Sequence, residues 1–507
     1  GVQTCALPIF NAININGGNL QVGDGGTTGA LSSSAFTVAT TANTSLIFNR
    51  SDAVTYSNVT INGAGGLTQA GTGTLNLTGG STTKFYSGTT YVKAGTLNYG
   101  NYGPNGATKL IIDSGATFQY GGASPYTFSS LSGAGTIYTT NGISLTIGAD
   151  NTNTEFSGLF LGDGTLNNGP FITKQGTGTF IYSGTAAVNG FRGFTATAGV
   201  VQIGKGGTEG AVGPNLTFSG GTIAINRSDT FTLPAFSGSG TLRQMGSGTT
   251  VVSALSGGFT GTTELLAGTL LLSPPSLGST LSTTSGSFVF GGGILKFSAT
   301  DKTDYSSRFS SAANQDYKID TNGQNVTLGS ALTSVGGALT KLDSAVTPGT
   351  LILTGANTYS GSTTISAGVL QVGNNSTAGT LGTGSVVDNG TLTINRTNAY
   401  ALTNDISGSG GLTQAGSGGV TTLSGNNSFT GGININAGSL ALGSANALGN
   451  GGTISFGGGV LQYAAGFTTD YSSRFNTADG QAYKINTNNQ DVTLASSLGG
   501  VGSSLSK

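Results

Sequence analysis

The chain has 507 residues, with Gly at 91 positions, 7% charged residues, a net charge of −1, one Met, one Cys, and neither His nor Trp. Ordinary globular proteins carry ~25% charged residues, so this chain has no field to steer nucleic acid or anionic lipid, and without His it cannot assemble Ser–His or Cys–His nucleophiles or His-containing zinc sites. Apolar residues reach 36% in short alternating runs, which excludes a disordered chain, and none approaches the ~18 residues of a helical membrane span.

In chain order, the first segment is Gly1-Val-Gln-Thr-Cys-Ala-Leu-Pro-Ile9, which matches nothing else in the sequence. Residues 1–9 read as the translation of a sequencing-library adapter and are set aside; the plain alternative is a divergent N-terminus. Without Cys5 the chain has no thiol, which agrees with secretion. Residues 10–507 read as one continuous domain of repeats.

The clearest repeat starts at Gly65-Gly-Leu-Thr-Gln-Ala-Gly-Thr-Gly-Thr-Leu-Asn-Leu-Thr-Gly79 and runs to Ala94-Gly-Thr-Leu97. A degenerate copy holds Ile172-Thr-Lys-Gln-Gly-Thr-Gly-Thr-Phe180. Weaker copies run from Gly240-Thr-Leu242 to Ala267-Gly-Thr-Leu270 and from Ala338-Leu-Thr-Lys341 to Ala367-Gly-Val-Leu370. The motif returns as Gly410-Gly-Leu-Thr-Gln-Ala-Gly-Ser-Gly418, ending at Ala437-Gly-Ser-Leu440. The starts Leu67, Ile172, Leu242, Leu339, Leu412 and Leu505 are 105, 70, 97, 73 and 93 residues apart, so the larger unit is a pair of motifs. A second block repeats at a constant offset of 166: Phe290–Phe297, Asp304-Tyr-Ser-Ser-Arg-Phe309 and Tyr317–Asn322 return at Phe456, Asp470 and Tyr483. The same offset carries Leu339 onto Leu505, so the chain stops as a motif begins and reads as truncated at its C-terminus.

Within each motif apolar residues alternate with Thr or Asn, as in Thr74-Leu-Asn-Leu-Thr78, Thr350-Leu-Ile-Leu-Thr354 and Ile433-Asn-Ile-Asn436. Period two is the strand signature, and Gly, Asn or Ser bound each run as turn residues. No ten-residue stretch has helical periodicity with caps. The predicted fold class is all-β, a parallel β-helix (solenoid) with coils of roughly two dozen residues. Leu, Val, Ile and Phe point into the shaft, Gly turns the corners, and Thr, Ser and Asn coat the outside.

Few candidate chemical motifs stand out. Gly199-Val-Val-Gln-Ile-Gly-Lys-Gly206 approaches a phosphate-binding loop, but Gly replaces the Ser or Thr that would hold Mg²⁺. Asp150-Asn-Thr-Asn-Thr-Glu155 faintly resembles a calcium loop without its Gly and distal Glu, and reads as a solvated turn. Asp304–Phe309 and its copy at Asp470 have two readings: a loop offering Tyr, Arg and Asp to a glycan or protein, or a corner where Arg308 bonds turn carbonyls and Tyr305 packs on the shaft. The second is the more economical, because a buried Arg donates several bonds. Arg50, Arg227 and Arg396 recur in Asn-Arg-Ser/Thr contexts one super-repeat apart, too far to share one site. No catalytic, cofactor-binding or metal residue is assigned, and no cofactor is expected.

The Gly-Gly-Leu-Thr-Gln-Ala-Gly-Thr-Gly-Thr-Leu motif, followed by a Tyr/Phe-Ser/Thr-Gly turn and Ala-Gly-Thr-Leu, resembles the autotransporter-associated β-strand repeat, also called the passenger-associated transport repeat. Leu67–Gly100 and Leu412–Gly443 match over the whole motif, and the copies from Leu242 and Leu339 over most of it. The five copies cover about a third of the chain. The resemblance implies a right-handed parallel β-helix, the passenger of a Gram-negative type V secretion system at the cell surface. It implies an outer-membrane β-barrel translocator as the anchor, although no barrel segment is in this chain. The expected role is a structural stalk, adhesin-like, with a host or neighbouring-cell glycan or protein as partner, no nucleic acid, and no enzyme activity. The alternatives are a β-helical polysaccharide lyase or hydrolase, and a surface-layer or matrix protein with another anchor.

Overall fold

In the computed structural model the described residues are 12–31, 36–57, 59–78, 85–100, 106–121, 125–140, 142–163, 169–185, 190–254, 256 and 258–507. Residues 1–9, with Cys5, lie outside them. The described residues contain no α-helix; short strands alternate with turns, and two single-turn 3-10 helices occur at Ser306–Arg308 and Ser472–Arg474. The chain is an all-β parallel solenoid and falls into two compact units, Gly1–Thr250 with Gly258–Thr262 and Val251–Gly257 with Thr263–Lys507.

In the first unit, strands Ser144–Ile147, Phe171–Lys174, Gly193–Ala196 and Asn215–Ile225 pair in parallel, each with the next. Their register stacks Leu145, Ile172, Phe194 and Leu216 inward and Thr146, Thr173, Thr195 and Thr217 outward. A second ladder stacks Leu75, Leu97, Phe118, Ile137 and Phe160. The second unit repeats the plan, with Leu351, Leu370, Leu392, Leu412, Ile433 and Ile454 in one inward column. These columns are essentially inaccessible to solvent, and each Leu or Ile so buried contributes about 1.5–3 kcal/mol of transfer free energy. The rungs are 19 residues apart at the shortest (Leu351 to Leu370) and 27 at the longest (Leu145 to Ile172). Turns absorb the difference while strand pairing stays constant.

The 166-residue offset is a structural repeat as well. Tyr317 pairs with Leu339 in the strand that follows, and Tyr483 pairs with Leu505 in the same way. Phe309 stacks on Tyr317 with ring centres 6.0 Å apart, and Phe475 on Tyr483 at 6.1 Å.

The placement of Thr needs correction. Thr lines the outside of the ladders above, but Thr90 and Thr363 are wholly inside the shaft. Thr90 Oγ1 shares a hydrogen bond of 2.5 Å with the Tyr86 hydroxyl, and Thr363 Oγ1 one of 2.6 Å with that of Tyr359. A buried tyrosine hydroxyl requires a partner, and the Thr four residues on supplies it. Burial pushes both phenols up to about 12.

Candidate functional site: the glycine corner of the repeat

The repeat motif begins as a strand, turns through Gly-x-Gly and leaves as a second strand. In the first copy the strand Gly66–Gln69 ends on Gln69, and Thr74–Thr78 follows. The turn leaves the carbonyls of Gly71 and Gly73 pointing inward, where water cannot reach them. Gln69 Nε2 donates to both, at 2.7 and 3.1 Å. Gln244 repeats this on Gly246 (2.8 Å) and Gly248 (3.3 Å), and its Oε1 accepts from Thr250 Oγ1 at 2.5 Å. Gln414 donates to Gly416 and accepts from Thr421 Oγ1 at 2.6 Å. A buried carbonyl without a donor costs about 1–3 kcal/mol, so a long side chain with N–H groups is required at this one position.

Lys fills the same place in the other two copies. Lys174 Nζ donates to the carbonyls of Gln175 (2.6 Å) and Gly176 (2.9 Å). Lys341 Nζ donates to those of Leu342 (2.9 Å) and Ala367 (3.1 Å), and meets Asp343 at 3.2 Å. Burial pushes both amines below the usual lysine range. Burial also opposes ionisation of Asp343, but the backbone N–H groups of Gly349 and Gly323, with Lys341, hold its carboxyl below the usual range.

The closing Ala-Gly-Thr-Leu of the motif is the lid of this corner. Gly199 and Gly438 have φ of +58°, and each lies against the carbonyls of the preceding Gly-x-Gly turn, where a Cβ would collide. The next backbone N–H then bonds that turn: Val200 N–H donates to Gly178 O at 3.2 Å and Ser439 N–H to Gly419 O at 2.8 Å. Gln, Gly-x-Gly and Ala-Gly are therefore three parts of one inter-coil joint.

The polar insertions noted in the sequence are also absorbed by the fold. Tyr305 is fully buried and its hydroxyl donates to Asp301 at 2.7 Å. Asp304 accepts from Ser306 N–H and from Gly329 N–H, both at 2.8 Å. Arg308 donates to the carbonyls of Ser282 and Gly286 and lies 4.7 Å from the Phe288 ring centre. Burial pushes its guanidinium down to about 10. The copy repeats the plan: Asp470 accepts from Ser472 and Ala495, and Arg474 donates to Leu448, Gly449, Gly451 and Gly452. The corner reading of Asp304–Phe309 is the one the geometry carries.

Gly199–Gly206 is the lid just described followed by strand Val200–Ile203, with no helix after it, and Lys205 pairs with Glu155 at 2.8 Å. In Asp150–Glu155, Asp150 accepts from Thr152, while Asn151 and Asn153 accept the backbone N–H of Thr177 and Thr179 in the following coil. The segment is a turn that also ties coils together. Among the described residues no group of three His, Cys, Asp or Glu could hold a metal ion. Arg50, Arg227 and Arg396 occupy three separate but matching sites. Asp388 went unnoticed in the sequence: it is 1% exposed, bonded to Gly390 N–H at 3.0 Å, and burial pushes its carboxyl up to about 6.

The passenger-associated transport repeat model matches residues 67–98, 348–372 and 412–442. The first and third matches contain the Gly corner and its Ala-Gly lid, the second holds the Ala367-Gly368 lid but begins after the Lys341 plug, and the copies at Ile172 and Leu242 share the plugged turn without being matched. No curated protein and no solved structure matches the chain. Three regions of the chain thus match the passenger-associated transport repeat, the repeat of autotransporter passengers, within a parallel β-solenoid.

Proposed function

We propose that the chain is the structural stalk of a type V secreted surface protein, adhesin-like and without enzyme activity. The observation that carries this reading is the consumption of the repeat's polar side chains by its own corners: Gln69, Lys174, Gln244, Lys341 and Gln414 all bond backbone carbonyls of the turn. A repeat whose polar groups serve its own fold is a device for building length, and the repeat family is one of secreted or cell-surface proteins. In this reading an outer-membrane β-barrel translocator anchors the full-length protein, and the partner is a glycan or protein on a host or neighbouring cell.

The adhesive part is tested with cells displaying the chain on a translocator barrel against cells displaying the barrel alone. Greater retention on glycan- or cell-coated surfaces is expected; equal retention would sink it. Release of reducing ends from a glycan panel by the purified chain would sink the non-enzymatic part.

A further inference from the structure

Three coils carry a loop with a shared geometry that the repeat motif does not include. Each opens Gln-Val/Ile-Gly and closes on a second Gly six residues later: Gly23 and Gly29, Gly204 and Gly210, Gly373 and Gly379. All six glycines have φ between +79° and +94°. The two of each pair stack so closely that a Cβ on the second would come within 2.6 Å of Gly23 N, 2.9 Å of Gly204 Cα or 2.7 Å of Gly373 N. In each, the Gln donates to the first Gly carbonyl at 2.8 Å, from Gln21, Gln202 and Gln371.

The following coil supplies an arginine to each loop. Arg50 donates to Thr27 O and Gly29 O, Arg227 to Glu209 O and Gly210 O, and Arg396 to Thr377 O and Gly379 O. The residue two places on steadies each guanidinium: Asp52 at 2.7 and 2.9 Å, Asp229 at the same distances, and Asn398 at 3.1 and 3.2 Å. In two of them a ring four places on covers it, Phe231 at 4.5 Å and Tyr400 at 4.6 Å.

We propose that these arginine-clamped loops are register latches, which fix which coil stacks on which. The ladders themselves do not specify this. Ile172, Phe194 and Leu216 follow one another inward and Thr173, Thr195 and Thr217 outward, so a shift by a whole coil sets apolar on apolar and Thr on Thr. Register is weakly specified wherever neighbouring pairings are equivalent, and looping out a coil costs little closure entropy. Lys341 adds one bond to Ala367 O in the following coil, but the Gln plugs and Lys174 bond turns next to themselves and do not distinguish one neighbouring coil from another. The latch does. Arg227 finds its carbonyls on a coil with the Gly pair; one coil earlier, Ser183 stands at the place of Gly204. A shifted register leaves a largely buried guanidinium without its acceptors.

The test is disulfide mapping in the full chain with Cys5→Ser. Thr195→Cys with Thr217→Cys reports the native register, because these residues are paired. Thr173→Cys with Thr217→Cys spans two rungs, beyond disulfide reach, and reports a slip of one coil. With Arg227 intact only the first pair should cross-link. Arg227→Ala should raise cross-linking of the second severalfold, and Arg227→Lys, which keeps the charge but loses the fork, should give an intermediate yield and remain folded. Ile223→Ala, in the same coil but outside the latch, should weaken the fold without producing the slipped cross-link. The idea fails if the slipped pair never forms in either arginine variant, or forms as readily in Ile223→Ala.

Discussion

Gly438 lies one coil beyond Gln414, and a methyl group placed on it would sit 3.2 Å from the Gln414 Nε2 and in collision with the carbonyls of Gly416 and Gly419. The lid glycine and the plug are thus fitted to each other across the stacking direction. The chemistry that recurs at the corner is a donor below and an absent side chain above.

Gly438→Ala should therefore destabilise the second unit by about 3 kcal/mol or more, since strain at a positive φ adds to the steric clash. Gly115 is the control. It has φ of +81° but open space around its Cα, so Gly115→Ala should cost only ~1 kcal/mol. Urea midpoints of the two variants check the difference.

Gln and Lys should be exchangeable at the plug, and Ala should not. Gln414→Lys places at this corner the side chain that Lys174 already provides without a carboxylate in contact, and is expected to stay within ~1 kcal/mol of the parent. Gln414→Ala strands the Gly416 carbonyl and the Thr421 hydroxyl, at a cost of about 1–3 kcal/mol. Equal midpoints for the two variants would refute the plug.

Asp388 gives the second unit an inverted acid response. Its folded-state carboxyl is raised above the ordinary 3.8 to about 6, so the folded chain holds the proton more tightly than the unfolded one. This group's contribution favours folding fully below pH ~4 and is lost as pH rises through about 6. Asp388→Asn should raise the melting temperature at pH 7 by the equivalent of up to ~3 kcal/mol and have little effect at pH 4. A melting temperature equally shifted at both pH values would contradict it.

Arg474→Ala removes the donor to four carbonyls and should cost roughly 2–4 kcal/mol. If the Asp470 corner is structural, adhesion by cells that still display this variant should match the parent. Loss of adhesion with unchanged stability would revive the ligand-binding reading.

Much of the fold was legible because it rests on two periods. Alternation in Thr74–Thr78 marks a strand, and the 166-residue offset carries Tyr317 and Leu339 onto Tyr483 and Leu505, which pair as their counterparts do. The joints were harder to read. Gln69 looks like a polar surface residue until the turn carbonyls it bonds are seen in space. The recurrence of Arg50, Arg227 and Arg396 was visible, but their acceptors lie 17 to 23 residues upstream in loops that share little beyond a pair of glycines. Thr90 was misplaced to the surface for a similar reason: its partner, Tyr86, is in the shaft, and residue type alone does not reveal a buried hydroxyl pair.

The claim that these joints build an exported stalk is tested most directly by protease shaving of intact Gram-negative cells expressing the chain joined to a translocator barrel. The account predicts that an epitope at the chain's N-terminal side is lost from intact cells while a periplasmic marker survives. An epitope that stays protected until the outer membrane is broken would contradict it.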